Sequence, residues 1–232
     1  MVNSWLILVG IMKKPSIVER FEISLRRKRF LIFETLLNGL DRPVRILDVG
    51  GVMDFWNIIG YERLGGIRVT LLNLFEQVSL PPHFRSHVGD ARCLRAYNPD
   101  DFDVVLSNSV IGHVGSFSDQ KRMADEIRRV GRKYFVQTPN HYFPIDWRTL
   151  IPFFHFLPAK QQAWWLSHFP IAHCGRISSY PRALAWTGAV RNLTGRELKI
   201  LFPESLIVPE RLLGFTKSLM AIKGFDNHFQ SK

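Results

Sequence analysis

Apolar residues change their spacing twice along this chain. Ile17, Val18, Phe21 and Leu25, then Phe30, Phe33 and Leu37, recur at helical intervals, which predicts one or two amphipathic helices over 16–39, ending near Gly39. From Arg42 onward the period shortens. Runs of β-type apolar residues at 44–49, 67–72, 84–88, 102–106 and 134–137 alternate with stretches of helical character. The clearest helix lies between Leu106 and Tyr134, where Met123, Ile127 and Val130 line one face and Ser118 is placed to cap the start. Continuous apolar strands alternating with helices predict a parallel sheet covered on both faces.

The rhythm breaks again over 141–190. Phe143, Trp147, Phe153, Phe154, Phe156, Trp164, Trp165, Phe169 and Trp186 fall there among five prolines, which reads as an inserted helical lid. Thr194 to Phe202 then reads as a helix, and 206–208 and 218–222 as two strands joined through Gly214. The expected architecture is therefore α/β: a doubly wound, mostly parallel, seven-stranded sheet of Rossmann-like kind. An N-terminal helical extension over 1–40 caps it, and a domain over 41–232 carries the aromatic helical insertion before the last two strands.

Composition narrows the class. A chain of 232 residues with 46% hydrophobic residues fits one α/β domain with additions. The two cysteines, Cys93 and Cys174, fit neither a disulfide framework nor a metal site, so no metal is expected and a reducing, cytoplasmic setting is. The apolar run at 5–12 lacks a preceding basic region and a small-residue cleavage site. It also falls short of the ~20 residues that span a bilayer. A soluble protein, or one in peripheral contact with a membrane, is expected. The net charge of +11, with a basic cluster at 26–29, favours an acidic partner: nucleic acid, anionic lipid or a phosphorylated substrate. It is equally what a solvated helix face of a basic protein would give.

The strongest local signal is Arg45-Ile46-Leu47-Asp48-Val49-Gly50-Gly51, a buried strand ending in an acid and two glycines. Glycines at a strand-to-helix turn permit positive φ and let a ligand approach the backbone. In an open α/β sheet that turn lies at the carboxyl end of the strand, where ligands bind. The acid can accept from an ammonium group, which favours an amino-acid-bearing cofactor. The run continues Val52-Met53-Asp54, so the glycine spacing of a dinucleotide fingerprint fails and a dehydrogenase-like reading is disfavoured. Three further strand ends carry polar groups in order. Asn73 can bond a ribose diol, Asp90 of Gly89-Asp90-Ala91-Arg92 can accept from an adenine amine, and Ser107-Asn108-Ser109 stands where the sheet order should reverse. Each alone also reads as a turn or a helix cap. Together they outline one crevice.

Residues 44–140 resemble the core of the class I S-adenosylmethionine-dependent methyltransferases. The strings Ile-Leu-Asp-Val-Gly-Gly, Gly-Asp-Ala, Ser-Asn-Ser-Val-Ile-x-His-Val-Gly and Phe-Val-Gln-Thr-Pro-Asn are further similar to a group of small bacterial members of the type 11 and type 12 methyltransferase kind. The similarity continues through Tyr142-Phe143-Pro144-Ile145 and Ile151-Pro152-Phe153-Phe154. The resemblance implies that Asp48, Gly50 and Gly51 hold the methionine part of S-adenosylmethionine, Asn73 the ribose, and Asp90 with Ala91 the adenine. Ser107 and Asn108 would lie near the transferred methyl group. The chain departs from the pattern at Asn73, where most of the superfamily carries an acid, and at Gly112, where the related group often has Glu before the His.

A sulfonium methyl donor is already activated, so the protein mainly supplies position, worth ~7–11 kcal/mol when nucleophile, carbon and sulfur are in line. A general base is needed only where the acceptor must lose a proton. His113, after the fourth strand, and His141, after the fifth, are the candidates; each also reads as an ordinary loop residue. The expected activity is methyl transfer, mainly to oxygen, on a small-molecule, glycan-linked or lipid-linked acceptor. The acceptor's identity and the oligomeric state are left open. The alternatives are an RNA methyltransferase, prompted by the charge but lacking an RNA-binding module, and a non-catalytic protein that binds S-adenosylmethionine.

Overall fold

The computed structural model describes residues 17–146, 148–171 and 175–225. The apolar run at 5–12, Trp147 and Cys174 lie outside the described residues, as do the side chains of 17–22, 25 and 26. One continuous helix, α1 (Ile17–Asn38), occupies the N-terminal region. Phe30, Phe33, Leu36 and Leu37 are its buried stripe.

The strands β1 (Val44–Val49), β2 (Ile67–Asn73), β3 (Phe84–Val88), β4 (Phe102–Asn108) and β5 (Gly131–Pro139) follow, then β6 (Leu206–Leu212) and β7 (Phe215–Lys223). They form one seven-stranded sheet in the order β3-β2-β1-β4-β5-β7-β6. The first five strands are parallel; β7 runs antiparallel between β5 and β6. This is the Rossmann-like, doubly wound architecture. The order reverses between β1 and β4, so a crevice is expected above their carboxyl ends.

β1 is buried on both faces, which is why it reads as a continuous apolar run. Val44 and Ile46 join Val69, Leu71, Val104 and the aromatic stripe of α1 in one core, with α2 (Met53–Ile59) closing it through Trp56 and Ile59. Leu47, Val49, Val105 and Val136 join a second core under α3 (Phe117–Val130) and α6 (Gly195–Leu201). Between β5 and α6 the chain forms α4 (Ala159–His168) and α5 (Tyr180–Thr187), which bury Phe154, Ala163, Leu166, Ile171 and Ala183 in a small core of their own.

Two expectations need correction. The cap of α3 is Ser116, not Ser118: Ser116 Oγ accepts from the Asp119 amide at 3.2 Å, and Asp119 Oδ2 accepts from the Ser116 amide at 2.9 Å. This capping box needs an acid three residues after the cap, which Ser116 has and Ser118 lacks. β4 ends at Asn108, within the polar strand end expected at 107–109. The connections 74–83 and 89–101 hold no helix, so the strands do not alternate with helices throughout. The sheet face opposite α1 is consequently bare at the amino ends of β1, β2 and β3, where Arg45, Arg68 and Arg85 line an open groove with Thr70 and His83. Among the described residues, no helix is long and apolar enough to cross a membrane.

Candidate active site

The turn after β1 is built around two glycines with different tasks. Gly50 sits at φ +73° and its amide donates to the Leu72 carbonyl at 2.8 Å, carrying the β1–β2 ladder one residue further. A Cβ there would lie 2.5 Å from Val110 Cγ2. Gly51 makes room for the acid: a Cβ on it would lie 2.1 Å from Asp48 Oδ2. Asp48 is 2% exposed. Its Oδ2 accepts from the indole Nε1 of Trp56 at 2.8 Å. Burial pushes the Asp48 carboxyl up to about 7, against the opposing pull of the Trp56 hydrogen bond.

The same turn is clamped from the end of β2. Asn73 Nδ2 donates to the Gly51 carbonyl at 3.2 Å, and its Oδ1 accepts from the Leu74 amide at 2.8 Å. Gln77 straddles the turn: its Nε2 donates to the Gly51 carbonyl at 2.9 Å while its Oε1 accepts from the Met53 amide at 2.9 Å. Sequence reading missed Gln77, because nothing local shows that the helix-free 74–83 loop folds back over Gly51. Asn73 therefore holds the glycine turn in shape.

Past β3, the Gly89 amide donates to the Asn73 carbonyl at 2.8 Å, which keeps the Asp90–Ala91 turn beside the crevice. Asp90 is held by its own neighbour. Arg92 reaches it from Nε at 2.9 Å and Nη2 at 2.6 Å, and the Arg92 amide donates to Oδ1 at 2.9 Å. These bonds lower the Asp90 pKa.

At the end of β4, Ser107 is fully buried and its Oγ has no hydrogen-bond partner among the described residues. Asn108 points to the other face, where its Oδ1 accepts from Arg29 Nη1 of α1 at 3.1 Å. Arg29 also lies 3.4 Å from Glu210 of β6, tying the N-terminal helix to the sheet at this level. Ser109 adopts φ +62°, a conformation that costs a non-glycine residue ~1–3 kcal/mol. Its Oγ donates to Gln137 Oε1 at 2.6 Å.

The two candidate bases are placed differently. His113, an exposed residue overall, closes a 3-10 turn at Ile111–His113; burial of its imidazole nitrogens and the Arg148 charge lower its pKa, against Asp146. His141 lines a cavity of about 290 Å³ together with Tyr142, Arg148, His155, Arg191 and Glu197. His155, not singled out in the sequence, lines the same cavity. Its Nε2 lies 3.2 Å from the His141 carbonyl, which can only accept, so Nε2 carries the proton. That leaves Nδ1 as the unprotonated nitrogen, buried and without a partner among the described residues. Burial lowers the His155 pKa, against the opposing pull of its bond to the His141 carbonyl.

The cavity wall is bonded to the β4 end. The Arg191 amide donates to the Gly112 carbonyl at 2.8 Å, and Gln120 Nε2 donates to the carbonyls of Ile111 at 3.1 Å and Arg191 at 2.8 Å. A Cβ at Gly112 would meet the Arg191 carbonyl oxygen at 3.4 Å, an ordinary van der Waals contact, so the structure does not require glycine there. No group of three or more His, Cys, Asp or Glu is placed to hold a metal among the described residues.

No family model and no curated protein matches the sequence. Among solved structures, the chain is similar to CurJ carbon methyltransferase, with 9% identity and a TM-score of 0.55 over 85% of this chain and 53% of that one. The chain thus spans about half of that protein's length. A Bordetella parapertussis protein described as a candidate exported protein gives 12% identity and a TM-score of 0.55, covering 94% of this chain and 77% of that one. A Rhodobacter sphaeroides protein described as a candidate Zn-dependent alcohol dehydrogenase gives 12% identity and a TM-score of 0.51, covering 90% and 89%. One fold carries three descriptions, so the likeness speaks for architecture. The chain has the Rossmann-like fold of class I methyltransferases, with its antiparallel last hairpin.

Proposed function

We propose that the chain transfers a methyl group from S-adenosylmethionine to oxygen of a small-molecule, glycan-linked or lipid-linked acceptor. The observation that carries this reading is the buried Asp48 carboxylate at the end of β1, with Gly51 clearing its Oδ2 and one indole donor in place. A carboxylate left with a single neutral donor in a buried crevice fits the ammonium of an amino-acid-bearing cofactor. The sequence resemblance to small bacterial methyltransferases of the type 11 and type 12 kind supports the same identity, with 41–232 as the catalytic unit and 1–40 as its extension.

In this reading Asp48, Gly50 and Gly51 hold the methionine end, Asn73 faces the ribose, and Asp90 with Ala91 borders the adenine. Ser107 and Asn108 lie near the reacting methyl, and the unsatisfied Ser107 Oγ is free to accept or donate there. The cofactor supplies a methyl group activated by its sulfonium. The chain's own residues orient it, exclude water and take a proton from the acceptor. His141 and His113 are the candidate bases, and the cavity that His141 and His155 line is the acceptor side. An RNA acceptor is the second reading, favoured by the bare sheet face with Arg45, Arg68 and Arg85.

Calorimetric titration with S-adenosylhomocysteine tests the proposal. Saturable micromolar binding by the wild type, lost in Asp48→Ala, is the expected result. A folded wild type that does not bind would overturn it.

A further inference from the structure

Helix α4 is apolar on both sides. Ala163 and Leu166 face inward, while Trp164 and Trp165 face out at 47% and 44% exposure. The outer residues are packed on one another: Trp165 and Phe169 ring centroids lie 5.0 Å apart, and His168 stacks on Trp164 at 4.5 Å. The lid surface adds exposed Phe153, Ile151, Leu157 and Leu184. So many large apolar side chains exposed on one inserted unit, beside two buried cores, point to an interaction surface.

The charge around it is of one sign. Between Asp146 and Glu197 the sequence contains no acidic residue, but it contains Arg148, Lys160, Arg176, Arg182, Arg191 and Arg196. Arg148 and Arg191 have carboxylate partners in Asp146 and Glu197. Lys160, Arg176 and Arg182 are exposed and form no ion pair among the described residues.

We propose that the α4–α5 lid docks on the surface of an anionic lipid bilayer, with the Trp164–Trp165 face set among the headgroups. Tryptophan's apolar ring and single N–H donor suit that interface, and cations beside it are drawn to anionic headgroups. A second copy of this chain fits less well, since a two-fold contact would set two acid-free, basic surfaces against each other. Single-stranded RNA would stack on the aromatic rings but leave Ile151, Leu157 and Leu184 in water. The inference stands apart from the cofactor reading.

The test is flotation of the full chain with vesicles of phosphatidylcholine, with and without phosphatidylglycerol, read alongside tryptophan emission and quenching by brominated acyl chains. Wild type should associate with the phosphatidylglycerol vesicles, shift its emission to the blue, be quenched, and dissociate as salt rises. Trp164→Ser with Trp165→Ser should weaken association by at least about tenfold, with circular dichroism and S-adenosylhomocysteine binding unchanged. Lys160→Glu with Arg182→Glu should do so for anionic vesicles through charge alone. No association by the wild type, or association that the tryptophan substitutions leave intact, would overturn the proposal. So would a dimer, or an RNA complex, that those substitutions dissolve.

Discussion

Trp56 donates its indole N–H to Asp48 from eight residues further along the chain, at 2.8 Å and entirely within the core. The helix that begins after the glycine turn thus reaches back and fixes the acid that ends the strand before it. Trp56→Phe keeps most of the apolar volume and removes the donor. It should cost ~1–3 kcal/mol of stability, as expected when a buried polar group loses its partner. Urea unfolding checks the cost, and S-adenosylhomocysteine titration should show weaker binding in the same variant.

Asp48 also predicts a pH dependence with a definite sign. The folded protein holds this proton up to about 7, whereas the unfolded chain releases it near the ordinary value of 3.8. The folded state therefore binds more protons between these limits. The contribution is complete below the lower limit and fades as pH rises through the upper one, by up to ~1.4 kcal/mol per pH unit. Asp48→Asn should flatten that slope in thermal melts taken between the unfolded value of 3.8 and the folded value of about 7. An ammonium placed against the carboxylate pulls its pKa down. Cofactor binding should then release a proton below neutrality and weaken as pH falls, which calorimetry in buffers of different ionisation heat will read.

Gly51→Ala forces a methyl group to within 2.1 Å of Asp48 Oδ2, so either the acid or the turn must move. We expect ~1–3 kcal/mol of destabilisation and loss of S-adenosylhomocysteine binding. Gly65→Ala is the control, because a Cβ there meets nothing within 4 Å.

Much of the fold was legible in the sequence because the sheet interior is buried on both sides. Runs such as 44–49 and 102–106 leave few other places for so many apolar residues. The glycine turn was legible for a related reason: an acid and two glycines after a buried strand constrain the backbone strongly. What escaped was anything made by a returning loop. Gln77 and Trp56 look like ordinary loop and helix residues until tertiary folding brings them to Gly51 and Asp48. His155 was hidden in an aromatic run whose bulk drew attention to packing, and only tertiary folding sets its ring against the His141 carbonyl.

The α3 cap offers a clean discrimination between two serines. Ser116→Ala should cost ~1 kcal/mol, because it breaks the reciprocal bond with Asp119. Ser118→Ala, in the first turn of the helix, should change the melting temperature little. Equal effects would show that the capping box does not hold α3.

The helix-free connections on either side of β3 carry a consequence for solubility. β3 is an edge strand of the sheet, five residues long, with neither adjoining connection supplying a helix to lie over its face. Such an edge presents unpaired backbone groups that can template growth by another chain. Arg85 on β3, with Arg68 on the neighbouring strand, puts like charge in the way of any incoming copy. Like charge beside this edge therefore opposes its pairing with a second copy.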